Sequence, residues 1–190
     1  VGLRGGFALA PRVPGDGRTL WYMTSRVNPL IANFRIANAD TILPAGSIPL
    51  NINGGGPYNA GDDVRGLAFD PCPPFDPQAL LDNPGCRAFV IDSRPPSVFT
   101  LDTRVDPTRV PAGVPINKIV DIVPTCQGPS HLAVRRLPNQ PGQDMPQNRV
   151  YVLCYDAGAM AVVDPDLGRL VDIVPVGRGP NAIAFNFGPG

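Results

Sequence analysis

The segment IVDIVPTCQGPSHLAV, residues Ile119 to Val134, aligns without gaps on LVDIVPVGRGPNAIAF, residues Leu170 to Phe185, with 8 of 16 positions identical. Self-similarity at this level marks a repeated structural unit and constrains the fold more than any single motif. Upstream of each copy lies a second matching pair, RAFVIDSRPPSVFTLD (Arg87 to Asp102) and RVYVLCYDAGAMAVVD (Arg149 to Asp164). Each is a β-rich run, a short turn and a second β-rich run ending in Asp. A fainter third copy occupies the start, where LWYMTSRVNPLIANFRI (Leu20 to Ile36) resembles the middle strands and AGSIPLN (Ala45 to Asn51) the outer one.

Composition agrees with short strands and excludes long helices. Glycine (21) and proline (25) make up almost a quarter of the 190 residues, and proline in a helix interior costs about 3 kcal/mol against alanine. Glutamate is absent and lysine occurs once, so the usual residues of helix surfaces are missing. Yet 43% of residues are hydrophobic, too many for a disordered chain. The charge is balanced, 16 basic against 16 acidic residues. That argues against a nucleic-acid or anionic-membrane binder, which needs a basic surplus. No run of about 18 apolar residues is present, so no transmembrane segment is expected. Val1 to Ala10 does not read as a signal peptide, and the chain is expected to begin as a mature or trimmed product does.

Each unit reads as four short strands separated by turn residues; in the third these run over about His131–Arg135, Arg149–Tyr155, Met160–Asp164 and Arg169–Val176. Such strands bury a face only by stacking on neighbouring units. The expected fold is therefore all-β: a β-propeller of three four-stranded blades (about 5–51, 64–125 and 130–177) plus the first strand of a fourth, Asn181 to Phe187. A β-sandwich is the alternative. The run Tyr151-Val152-Leu153-Cys154-Tyr155-Asp156, then Ala161-Val162-Val163-Asp164, then Gly168 to Gly177 and Gly179-Pro180, resembles a repeat of the YVTN-type bacterial β-propeller proteins. Leu153 and Cys154 depart from it, standing where that family usually has Thr and Asn. The resemblance implies a ring of about seven blades, of which this chain would be a part, and a bacterial cell-surface or periplasmic setting. It transfers no function.

Blade geometry sorts the four cysteines. Cys72 follows the first strand of the second unit and Cys86 precedes its second strand, so the pair Cys72–Cys86 is expected on one face. Cys126 and Cys154 fall on the opposite face, and the pair Cys126–Cys154, about four residues out of register, relies on the bend at Gly128-Pro129. Two same-face pairs point to an oxidising compartment: periplasm, outer surface or medium. The insertions Asp70–Gly85, Thr103–Ile116 and Leu137–Asn148 all leave on the first of these faces, and ordered loops of this kind are commonly kept to bind something. The expected partner is a protein, or the remaining blades, meeting the long-loop face and the open edges.

Chemistry is sparse. His131 is the only histidine, and one imidazole without flanking carboxylates makes neither a metal site nor an acid–base pair. Asp62 and Asp63 follow a glycine-rich loop and come nearest to a calcium set, but they lack DxDxDG spacing. Arg26 and Arg94 stand at matched positions after the second strand, and with His131 are candidates for the mouth of the central channel. Repeated arginines there either bind anions or pair with the repeated aspartates, and pairing is the expectation. Asp92, Asp102, Asp156, Asp164 and Asp172 read as turn formers. No catalytic residue, cofactor or metal is assigned. The reading leans to a binding or scaffold module outside the cytoplasm, periplasmic, outer-membrane-associated or secreted. The alternative is a lactonase or a quinone- or haem-linked oxidoreductase whose active-site residues lie in other blades.

Overall fold

The structure, a computed structural model, describes residues 6–9, 19–26, 30–38, 41–50, 63–70, 87–103, 117–137 and 147–185. The pair Cys72–Cys86, Asp62 and most of the three long insertions lie outside the described residues, and so do Asn186 and Phe187. The described residues form three four-stranded antiparallel sheets and no helix. The first contains β1 (Phe7–Leu9), β2 (Thr19–Thr24), β3 (Leu30–Asn38) and β4 (Thr41–Pro49). The second contains β5 (Val64–Phe69), β6 (Arg87–Ser93), β7 (Pro96–Asp102) and β8 (Lys118–Pro124). The third contains β9 (Pro129–Arg136), β10 (Asn148–Cys154), β11 (Ala159–Asp164) and β12 (Arg169–Pro175). In each, the strands lie side by side in chain order.

Side-chain alternation decides which sheet faces which. In β6, Ala88 and Val90 point to one side and join a core with Tyr22, Ile31, Ile48 and Leu50 of the first sheet. Phe89 and Ile91 point to the other side and join Val150, Val152, Ala161 and Val163 of the third. β6 and β7 are consequently buried on both faces, whereas β12 is exposed at every residue but Val174. Two independent apolar clusters, one on each side of the second sheet, make up the core.

The sheets come closest along their first strands. β5 runs against β1 on one side and β9 on the other, while β8 and β12 barely touch. Glycine permits that approach. The Gly6 amide donates to the Arg65 carbonyl at 3.0 Å, and a Cβ on Gly6 would lie 2.8 Å from the Gly66 Cα. On the far side of Gly66, Leu132 comes so near that an added Cβ would meet its Cδ2 at 3.2 Å. Any side chain at Gly6 would force β1 away from β5.

Polar ties reinforce each packed pair. The Tyr22 hydroxyl donates to Asn117 Oδ1 at 2.9 Å, joining the first sheet to the second. Between the second and third, Arg87 donates to Asp70 Oδ2 at 3.0 Å and to Asp166 Oδ1 at 2.7 Å, and Asn148 also donates to Asp70. The expected pairing of arginines with aspartates is seen again at Arg149 and Asp164, 3.1 Å apart. Among the turn-forming aspartates, Asp164 Oδ1 accepts the amides of Asp166 and Leu167, closing the turn between β11 and β12.

Cys126 and Cys154 stand at disulfide distance, with Cα atoms 5.7 Å apart. Gly128 takes φ +68°, and β9 shifts register against β10 between Leu153 and Cys154. Together these absorb the offset read from the sequence. A cross-link over 28 residues contributes about 3–4 kcal/mol on the loop-entropy account. Gly179, the repeat partner of Gly128, has the matching φ of +62°. The segment after it departs from expectation, because residues 181–185 form no strand with any described residue. A strand persists through its ladder partners, and here the chain instead sets Phe185 edge-on against Tyr151, with ring centroids 5.1 Å apart.

Phe89 and Tyr151 occupy equivalent places, but Phe89 is fully buried between two sheets and Tyr151 is only half-buried. Phe89→Ala is expected to lower unfolding free energy by about 3–5 kcal/mol, and Tyr151→Ala by less than half as much, as measured by urea denaturation.

Candidate functional site

Where the first strands converge they leave an open cleft of about 580 Å³, lined by Gly6, Arg26, Arg65, Gly66, Leu67, Ser130, His131 and Leu132. Arg26 follows the end of β2, Arg65 stands at the start of β5, and Ser130 and His131 at the start of β9. The cleft therefore opens at one end of the three sheets. Residues 71–86, 104–116 and 138–146 leave from strand termini at the other end, those of β5, β7 and β9. The sequence directed attention to that looped end, while the cleft lies opposite.

Asp63 organises the cleft from behind. Its carboxylate is almost fully buried, and Arg26 Nε donates to Oδ1 at 2.8 Å. Arg65 donates to Oδ2 through Nη2 at 2.7 Å and Nε at 3.0 Å. The Asp63 amide in turn donates to Asp92 Oδ1 at 3.2 Å, which ties Asp63 to the end of β6. Burial alone would raise the Asp63 carboxyl, but hydrogen bonds from Arg65 and Arg26 outweigh it and hold the group below its ordinary range. The same pairing pushes the Arg26 guanidinium up. With both oxygens engaged by guanidiniums, Asp63 has little left to offer a cation, and among the described residues no cluster of three metal-ligating side chains occurs.

Of the candidate channel-mouth residues, Arg26 and His131 line this cleft together. Arg94 does not line it: it is exposed in the turn between β6 and β7, where its amide donates to Asp92 Oδ1 at 3.1 Å. Arg65 joins them through its register in β5. The Ser130 hydroxyl donates to the Leu153 carbonyl at 3.3 Å. His131 is exposed, with no carboxylate among the cleft-lining residues. The described lining residues offer guanidinium, imidazole and hydroxyl groups, which can bind a ligand. The sharing of Asp63 by two arginines was not legible in the sequence, since the three residues lie up to 39 positions apart and only sheet packing unites them.

At the opposite end, Asp70 is fully buried beside Arg87. Desolvation raises its carboxyl above the ordinary range despite the opposing pull of the guanidinium, and its Oδ1 has no hydrogen-bond partner among the described residues. The two aspartates thus respond to pH in opposite senses.

No protein-family model matches the chain, and a search of curated proteins likewise finds no match.

A depressed carboxyl supplies stability above the unfolded value of about 4 and loses it as pH falls through the folded value. Asp63→Asn is therefore expected to destabilise the protein at pH 7, with a deficit that shrinks below about pH 4. A raised carboxyl supplies stability below about pH 4 that is lost as pH rises through the folded value. Asp70→Asn should accordingly improve relative to wild type as pH rises from about 4 to 7. Urea midpoints for both variants across pH 3 to 7 check the two signs, and parallel curves would refute the assignment.

Proposed function

We propose that the three sheets are consecutive blades of a β-propeller of the YVTN type and that the chain is a binding or scaffold module outside the cytoplasm, without chemistry of its own. The observation that carries this reading is the fan of the sheets. First strands lie together, last strands splay apart, and each sheet packs face to face on the next in chain order. A sandwich would bring two whole sheets into aligned contact instead. The disulfide-distance pair Cys126–Cys154 favours an oxidising compartment. Among the described residues no helix is long and apolar enough to cross a membrane.

The outer face of the third sheet supports a binding role. Register places Tyr151, Met160, Val162 and Val174 on the side away from the second sheet, opposite Val152, Ala161 and Val163, and all four are only half-buried; apolar surface of this kind marks a contact region. By position, Tyr151 and Leu153 repeat Phe89 and Ile91, the residues through which the second sheet packs on the third. The reading therefore takes this face as the place where a further blade or a protein partner docks.

Association at this face is tested by the double variant Val162→Asp, Val174→Asp. Both side chains are partly exposed and lie outside the core shared with the second sheet, so the variant is expected to keep the wild-type circular dichroism spectrum. Assembly with a chain carrying the following repeat units, followed by analytical ultracentrifugation, is expected to be lost. Undiminished assembly of the double variant would refute the docking face.

A further inference from the structure

We propose that the cleft between β1, β5 and β9 is a binding site for a small carboxylate with an apolar body. Among the described residues its wall carries two guanidiniums and an imidazole but no carboxylate; Asp63 and Asp92 lie buried behind it and outside the lining. Arg26 gives Asp63 only its Nε, and Arg65 gives it Nε and Nη2. Both Nη groups of Arg26 and the Nη1 of Arg65 therefore have no partner among the described residues. One buried carboxylate holds two cations in place while leaving donors unspent on each. That is a pre-organised arrangement, because the side-chain entropy of ordering Arg65 and Arg26 is already lost before a ligand arrives.

The geometry favours an oxyanion of a particular kind. A guanidinium presents parallel N–H groups that match the two oxygens of a planar carboxylate. Leu67 and Leu132 add apolar wall, and Gly6 and Gly66 keep the floor free of side chains. A volume of about 580 Å³ lies within the range of small-molecule sites. Inorganic phosphate would satisfy the arginines and leave the leucines unused. An aromatic or short aliphatic carboxylate uses both.

The site is built from first strands as they stand, so it does not rest on closure of a ring or on docking at the third sheet. His131 supplies the readout, because it is the only histidine in the chain and its ring C–H resonances are assigned by inspection. The test titrates the full chain with benzoate, its neutral counterpart benzamide and inorganic phosphate, following those resonances by NMR. Benzoate is expected to move them saturably, and benzamide and phosphate to bind at least about tenfold more weakly. Arg26→Gln, whose side chain is 48% exposed, is expected to keep the wild-type circular dichroism spectrum and to weaken benzoate about tenfold or more. Arg169→Gln on exposed β12 is the control and leaves affinity unchanged. Equal binding of benzamide, tighter binding of phosphate, an unmoved His131 at tens of millimolar benzoate, or full affinity in Arg26→Gln would each overturn the proposal.

Discussion

The second sheet is apolar on both faces, and that single constraint organises the molecule. Phe89, Val90, Ile91, Val98, Phe99 and Leu101 are all essentially inaccessible, although they point alternately to two sides. A sheet of that kind cannot exist with one face in water, since each large side chain left exposed forfeits about 1.5–3 kcal/mol of transfer free energy. The first and third sheets supply the two covers. Their own chemistry follows from the role: each presents a continuous apolar face toward the middle, and β12 of the third is left largely open. The narrow seam along the first strands is the second requirement, met by Gly6 and Gly66 where two backbones come within contact distance.

Charge is distributed along the seams in two distinct ways. At one end, Asp63 faces two guanidiniums, stays ionised readily and stiffens a cleft. At the other, Asp70 lies deeper, shares Arg87 with Asp166 and carries a desolvation cost that the ion pair does not cancel. Opposite protonation behaviour thus arises from the same residue types, and the difference is one of burial and of how many donors reach each carboxylate.

Much of this architecture is legible in the sequence because it is local or periodic. The third unit's expected strands differ from the observed Pro129–Arg136, Asn148–Cys154, Ala159–Asp164 and Arg169–Pro175 only at their ends. Alternation in RAFVIDS and RVYVLC assigns each side chain to a face, and a bend at Gly128-Pro129 is visible as a dipeptide. What the sequence conceals is non-local. The Gly6–Gly66 contact joins residues from different sheets, and neither glycine belongs to a turn that would announce it. Arg26, Asp63 and Arg65 look like an isolated cation and an ordinary charged pair until packing brings them together. Residues 181–185 mislead in the other direction: their pattern copies Ser130 to Val134, but ladder pairing depends on neighbours and cannot be read from the pattern itself.

Alternating faces also shape how the fold comes apart. Each sheet meets only its immediate neighbours, so cohesion is a chain of nearest-neighbour terms rather than one shared interior. Among the described residues the middle sheet is held on two faces and the first and third on one each. Opening should therefore begin with the terminal strand β12, where backbone amides have a ladder on one side and solvent on the other, and advance inward through β11 before β6 or β7 is disturbed. Such a gradient makes the third sheet adaptable: its outer strand can yield and re-form on whatever surface completes it, without loosening the cleft held at the first strands.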